Sequence, residues 1–341
     1  MEAITASVGL RRHPRVVALA SLLGLFLVAA LLSLRIGSVS LDTATVLAAL
    51  FAYDGSDAHA IVRHLRLPRT VLGMTVGAAL AVAGAIMQAV TRNPLASPTI
   101  FGLNAGAIFA VVVAIFLLGI AEPAAYVWFA FVGALVAVGM VFMVASAGPG
   151  GATPVKLALA GTVVSALLSS WVSGILVFDQ GTLDAARFWL AGALGGRTLE
   201  AFVPVAPLMG LALVVGVGLG RSLNAAGLGR DVAVALGQQP RKLLAVATVT
   251  VVLLAAGAVA CAGPIGFVGL AVPHVVRGIM GPDYRWILPA CVPAGAALLL
   301  LADVLGRVIA APGEIEAGVI TTIIGAPILI HIVRQARLAR A

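Results

Sequence analysis

Charge is scarce in this chain. Only 10% of its 341 residues are Asp, Glu, Lys or Arg, while 62% are hydrophobic and the mean hydropathy is +1.14. A soluble globular chain carries about 25% charge and roughly 45–50% apolar residues. A water-soluble domain is thereby excluded, and a polytopic membrane protein is indicated. Cysteine is nearly absent: Cys261 and Cys291 lie in apolar runs at a spacing that fits neither a disulfide framework nor a metal site. There is no H-E-x-x-H, no nucleophile elbow and no G-x-x-x-x-G-K-[ST] phosphate loop. If transport by this chain uses ATP, another chain must bind it. The formal net charge is +8, but no dense basic patch sits beside aromatic residues, so nucleic acid is not indicated.

What is present is a series of apolar runs. Gly (39) and Pro (17) are abundant without implying disorder, because the apolar content is too high and both residues are frequent in transmembrane helices. The first run, Val16 to Leu34, follows Arg11, Arg12 and Arg15 as a signal peptide would. It is longer than the 7–15 residues typical of such a core and many more runs follow, so it reads as a retained span. A crossing needs about 20 apolar residues, with helices as the default because lipid satisfies no backbone group. Ten spans are predicted, near 16–34, 70–90, 98–118, 125–145, 157–177, 202–220, 243–262, 266–280, 286–305 and 317–333. The eighth is the weakest, being short and interrupted by Gly266, Gly269 and Pro273. The expected fold is all-α, with residues 1–341 forming a single transmembrane domain.

An even number of spans puts both termini on one side. With that side cytoplasmic, 14 of the 21 Lys and Arg residues are inside, Arg11 and Arg340 among them, and 7 are outside. This bias satisfies the positive-inside rule. Arg66 and Arg69, in "HLRLPRTVLGM", then fall at the outer face. Two accounts stand: the arginines snorkel to the interface, or they meet an acidic protein docking from outside.

Within the spans, Gly73, Gly77, Ala81 and Gly84 recur at spacings of three and four and give one small-residue face for close helix contact. Gln88 follows, either lining a cavity or capping a neighbour's carbonyl. In "CAGPIGFVGLAVPHVVRG", residues 261–278, Gly and Pro break what should be helix at lipid depth. Such breaks are tolerated only where protein or water surrounds them, and they recur near transport pathways. His274 in this stretch reads as a satisfied interfacial histidine. The largest inner loop is 221–242. In it, "GRDVAVALG" can form a short helix with Asp231 favoured near its start and Val232, Ala235 and Leu236 on one face. Its small apolar residues and single acid suit a docking knob for a cytoplasmic partner better than a membrane-surface helix.

These stretches together resemble the FecCD-type permease subunit of bacterial ABC importers for iron-siderophores, haem and cobalamin. The resemblance is carried by "RLPR" at 66–69, "GAALAVAGAIMQAVTRNPLASPTIFGLNAGA" at 77–107, "AGPIGFVGLAVPHVVR" at 262–277, "LLLADVLGR" at 299–307 and "TTIIGAPILI" at 321–330, in the expected order. It implies a type II ABC importer permease fold in the bacterial inner membrane, surrounded by membrane lipid, with a second, identical permease subunit and the pathway between the two. It also implies two cytoplasmic ATPase subunits that bind ATP and Mg, an external substrate-binding protein, and a large metal-chelate ligand. No cofactor or metal is implied in this chain. By the same resemblance, Arg66, Arg69 and Arg307 pair with glutamates of the binding protein. The cytoplasmic coupling element maps onto 223–237, with Asp231, Val232, Ala235, Leu236 and Gly237 toward the ATPase. One departure is visible: the family commonly has Glu-Leu-Pro before the last span, and "GEIEAG" here puts Ile315 and Glu316 in place of Leu and Pro. Arg307 then has Glu314 and Glu316 as alternative partners.

Two other function classes compete. A secondary transporter carries ionisable residues in mid-span, but these spans are nearly free of acid, with Asp303 near an outer end. A membrane enzyme lacks any catalytic pairing. Ferric siderophore is the expected cargo on the family's breadth, with haem and cobalamin as alternatives.

Overall fold

The computed structural model describes residues 12–37, 39–120, 122–147 and 153–338; Arg11 and Arg340 lie outside them. All regular structure among the described residues is helical. In chain order the helices are α1 (Arg12–Arg35), α2 (Thr43–Phe51), α3 (Asp57–Ala60), α4 (Leu67–Thr91), α5 (Leu103–Leu118), α6 (Pro123–Ser146), α7 (Pro154–Phe178) and α8 (Gln180–Leu190). They continue as α9 (Leu199–Phe202), α10 (Ala206–Gly218), α11 (Gly220–Gly227), α12 (Arg230–Ala235), α13 (Pro240–Ala262), α14 (Val268–Met280), α15 (Tyr284–Ile309) and α16 (Ala317–Leu338). A π-helical segment, Ile61–Arg66, joins α3 to α4 as one 35-residue rod.

Among the described residues, six elements are long and apolar enough to cross a bilayer: α1, the α3–α4 rod, α6, α7, α13 and α15. Helices α10 and α11, bent by 44° at their junction, make a seventh when taken together. At the three remaining predicted spans stand shorter apolar helices, α5, α14 and the Ala317–Ile330 part of α16. The 16 residues of α5 rise about 24 Å, less than the roughly 30 Å hydrocarbon core. The chain is thus an all-α, multi-spanning membrane protein.

Local chemistry sets the helix ends. Proline opens α6, α7 and α13 at their first residue, where its missing N–H costs nothing. Asp283 caps α15 by accepting a hydrogen bond from the Arg285 amide. The α4 rod runs through the centre, against α1, α10, α13, α14 and α15. Its small-residue face is what permits this. A Cβ on Gly77 would collide with the backbone of Gly295 in α15, and one on Gly84 with the backbone of Gly269 in α14. The helices therefore meet backbone to backbone. The predicted break is realised only as the loop from Gly263 to Phe267, where both residues have positive φ (73° and 66°); Gly269 and Pro273, expected to interrupt the span as well, lie inside α14. A side chain on Gly263 would strike the Trp189 carbonyl.

Candidate functional site

Three arginines form one buried cluster. Arg66, Arg69 and Arg307 are only 5%, 8% and 4% exposed, and Asp303, engaged by both Arg69 and Arg307, is fully buried. Arg69 donates from Nε to both carboxylate oxygens of Asp303 (2.9 and 3.0 Å) and from Nη2 to Oδ1 (2.8 Å). Its Nη1 donates to Glu314 Oε2 at 2.7 Å. Arg307 reaches the same carboxylate with Nη2, 3.0 Å from Oδ2. Its Nη1 donates to the carbonyls of Ser33 (3.1 Å) and Ile36. Arg66 donates to the carbonyls of Leu34 (2.9 Å), Arg35 (2.6 Å) and Val39.

The physical logic is that of a helix end. The last carbonyls of α1 have no partner within their own helix and carry the negative end of its dipole. Arg66 and Arg307 supply both donors and positive charge there. Asp303, shared by Arg69 and Arg307, and Glu314, bound to Arg69, offset the charge of two guanidinium groups that burial would otherwise penalise. The arginines are therefore not free surface charges: they join α1, α4 and α15 while still lining a cavity. Between the sequence-stated partners for Arg307, the structure takes neither Glu314 nor Glu316: Arg307 pairs with Asp303, and Glu314 belongs to Arg69.

The cluster walls one side of a cavity of about 700 Å³. Tyr126, Trp189, Glu316 and the loop Ala193–Thr198 with Arg197 also line it. That loop turns on Gly192 and Gly196, both with positive φ, and a Cβ on Gly195 would lie 3.2 Å from Arg69 Nη1. Burial raises the Glu316 carboxyl above the usual carboxylate range, against the pull of Arg69, and burial lowers the Arg197 guanidinium while Glu316 opposes that. Sequence reasoning assigned no role to Asp303, Arg197 or Trp189. Of these, only Asp303 left a local signal, its i,i+4 spacing to Arg307.

At the other end of the rod lies the segment expected to couple to the ATPase. Helix α12 has six residues, bounded by Gly229 (φ 106°) and Gly237 (φ 78°). Asp231, in its first turn, is exposed, as are Val232, Ala235, Leu236 and Gly237. Ala233, 2% exposed, is the side chain that anchors it. Neighbouring α11 is pinned: Arg92 Nη2 donates to the Ala226 carbonyl (2.8 Å), and Asn224 Nδ2 donates to Asp283 Oδ1 (2.6 Å). Arg285 holds the Asp283 carboxyl well below the usual carboxylate range. Gln88 does cap a neighbour's carbonyl, donating to Leu270 O at 3.3 Å, and it accepts from Arg277 Nη2 at 3.4 Å. The result is a firm base that presents an apolar knob. Among the described residues, no group of three or more His, Cys, Asp or Glu side chains is placed to hold a metal ion.

Comparison with known proteins places both ends in context. Residues 25–335 match the FecCD transport family. The chain is 42% identical over 319 residues to the siderophore transport system permease protein YfiZ of Bacillus subtilis, covering 94% of this chain and 96% of that protein. It is also 42% identical over 321 residues to the ferric enterobactin transport system permease protein FepD of Escherichia coli, again covering 94% and 96%. Among solved structures, a metal-chelate type ABC transporter in an inward-facing conformation superposes with a TM-score of 0.81 at 28% identity, over 93% of this chain and 98% of that one.

Proposed function

The chain belongs to the FecCD transport family of ABC importer permeases, and from that premise we propose that it carries ferric siderophores inward as one of two identical permease subunits. It is a multi-pass inner-membrane protein that forms part of an ATP-driven importer, and ATP hydrolysis resides on a separate ATPase. The observation that carries the choice of cargo is that YfiZ and FepD, each 42% identical over nearly the whole chain, are named for siderophore and ferric enterobactin transport.

In this reading all ten apolar elements traverse the membrane, and both termini are cytoplasmic. The two-to-one basic bias supports that orientation. The Arg66–Arg69–Arg307 corner receives acidic side chains of the external binding protein. Its support is positive charge concentrated at the less basic face. The exposed Asp231, Val232, Ala235, Leu236 and Gly237 meet an ATPase subunit, one on each permease. Uptake of radiolabelled iron in cells lacking other iron permeases tests the cargo. Accumulation from ferric siderophores is expected, with no competition from haem or cobalamin; efficient competition by either would assign that ligand instead.

A further inference from the structure

The outer cavity holds one arginine that the fold does not use. Arg66, Arg69, Arg197 and Arg307 all line it. Asp303 and Glu314 engage Arg69, Asp303 also engages Arg307, and Arg66 gives its donors to carbonyls. Arg197 makes no hydrogen bond or ion pair among the described residues, and its Nε is buried without an acceptor. Glu316 lies in its field without pairing to it. Arg197 is thus the one arginine of the four with neither a carboxylate nor a carbonyl partner among the described residues.

A second donor in the same cavity wall is also unmet. Trp189 is 2% exposed, and its Nε1 has no acceptor among the described residues. Buried donors without partners are rare in folded proteins. The cavity, about 700 Å³, falls within the roughly 300–1,000 Å³ usual for ligand pockets.

We propose that this cavity is a carboxylate-binding pocket, in which Arg197 and Trp189 receive a carboxylate of the cargo as it enters the transporter. The planar guanidinium fork fits a carboxylate, and the indole N–H adds a further donor. The position favours the cargo over an acidic side chain of a docked protein. Trp189 Nε1 and Arg197 Nε are both buried, too deep for a side chain on a docked protein surface and within reach only of a small mobile group. Glu316 is the internal competitor for Arg197, so its removal strengthens the site. The inference rests on the importer reading and narrows it to carboxylate-bearing ferric siderophores.

The test uses the assembled transporter in nanodiscs, titrated with citrate, ferric citrate and a carboxylate-free ferric trihydroxamate, with tryptophan fluorescence as the readout. Citrate and ferric citrate should give a saturable change that Trp189→Phe removes, and the trihydroxamate should give none. Arg197→Gln should weaken citrate binding at least tenfold, Arg197→Lys less, and Glu316→Gln should tighten it. No citrate binding by the wild type, or equal affinity in wild type and Arg197→Gln, would overturn the proposal. So would loss of binding-protein capture in Arg197→Gln with citrate binding intact, which would assign Arg197 to a protein carboxylate. Iron uptake by the wild type measures the importer reading separately.

Discussion

Arg69 and Arg307, on different helices, grip one carboxylate: Asp303 lies 2.8 Å from the first and 3.0 Å from the second. Asp303 is completely buried, so neither guanidinium has water to replace it. Asp303→Asn should therefore destabilise the transporter by about 3–5 kcal/mol, the usual cost of stripping a buried charge of its partner. Glu314, whose side chain is 40% exposed, should behave otherwise, with Glu314→Gln costing about 0–1 kcal/mol. Thermal unfolding in detergent compares them, and equal effects would contradict the burial argument.

Arg66 offers a different test, because its partners are carbonyls of Leu34, Arg35 and Val39 rather than a carboxylate. Arg66→Lys keeps the charge but loses the fork that spans three acceptors. The end of α1 should loosen, seen as faster amide exchange at 34–41. The salt dependence of binding-protein association should survive, since long-range steering follows charge. Unchanged exchange would mean that the carbonyl contacts do not hold this corner.

Close helix contact predicts a contrast between glycines. Gly84 faces the backbone of Gly269, whereas Gly24 in α1 has nothing within 4 Å of a built Cβ. Gly84→Ala should cost about 1–3 kcal/mol through overpacking, and Gly24→Ala should be neutral or slightly stabilising through helix propensity. A melting comparison in one detergent checks both, and a harmless Gly84→Ala would refute the backbone-to-backbone packing.

Much of this was legible beforehand, for identifiable reasons. Apolar runs located the helices because lipid imposes a local compositional rule, and the spacing of Gly73, Gly77, Ala81 and Gly84 exposed the contact face because helical periodicity is local too. The second span begins earlier than expected. The sequence pattern starts it at 70, yet the helix runs from Asp57, through charged residues whose polarity disguised it. Ser56 caps that start, and the π-helical segment ends at Arg66, two residues before Pro68. The fifth helix starts later, at Leu103 rather than 98, because Pro98–Phe101 forms a 3₁₀ turn that ends at Gly102 with φ 72°. The pairing of Arg69 with Asp303 was not legible at all. The two lie 234 residues apart, and only tertiary packing joins them.

Orientation is checked by placing single cysteines at exposed positions near each end, Asp231→Cys and Thr198→Cys. The native Cys261 and Cys291 are buried and should contribute little background. In right-side-out vesicles an impermeant maleimide should label position 198 and spare 231. Labelling of both from one side would overturn the proposed topology.

The coupling segment gives the last prediction. Asp231 is exposed in the first turn of α12, beside exposed Val232 and Leu236, while Ala233 alone is buried. A substitution at 231 therefore touches no packing within this chain. Asp231→Arg should leave insertion and melting temperature unchanged, because exposed surface changes usually fall within about 0.5 kcal/mol. It also places a positive charge where the dipole at a helix start disfavours one. Its effect should fall on the partner: weaker retention of the ATPase subunit on purification and at least a severalfold loss of uptake. Ala233→Asp should fail differently, by burying a charge under α12 and lowering stability directly. Co-purification stoichiometry and melting temperature, measured together, separate the two. An Asp231→Arg transporter that retained its full complement of ATPase and full uptake would show that this knob is not where the ATPase engages.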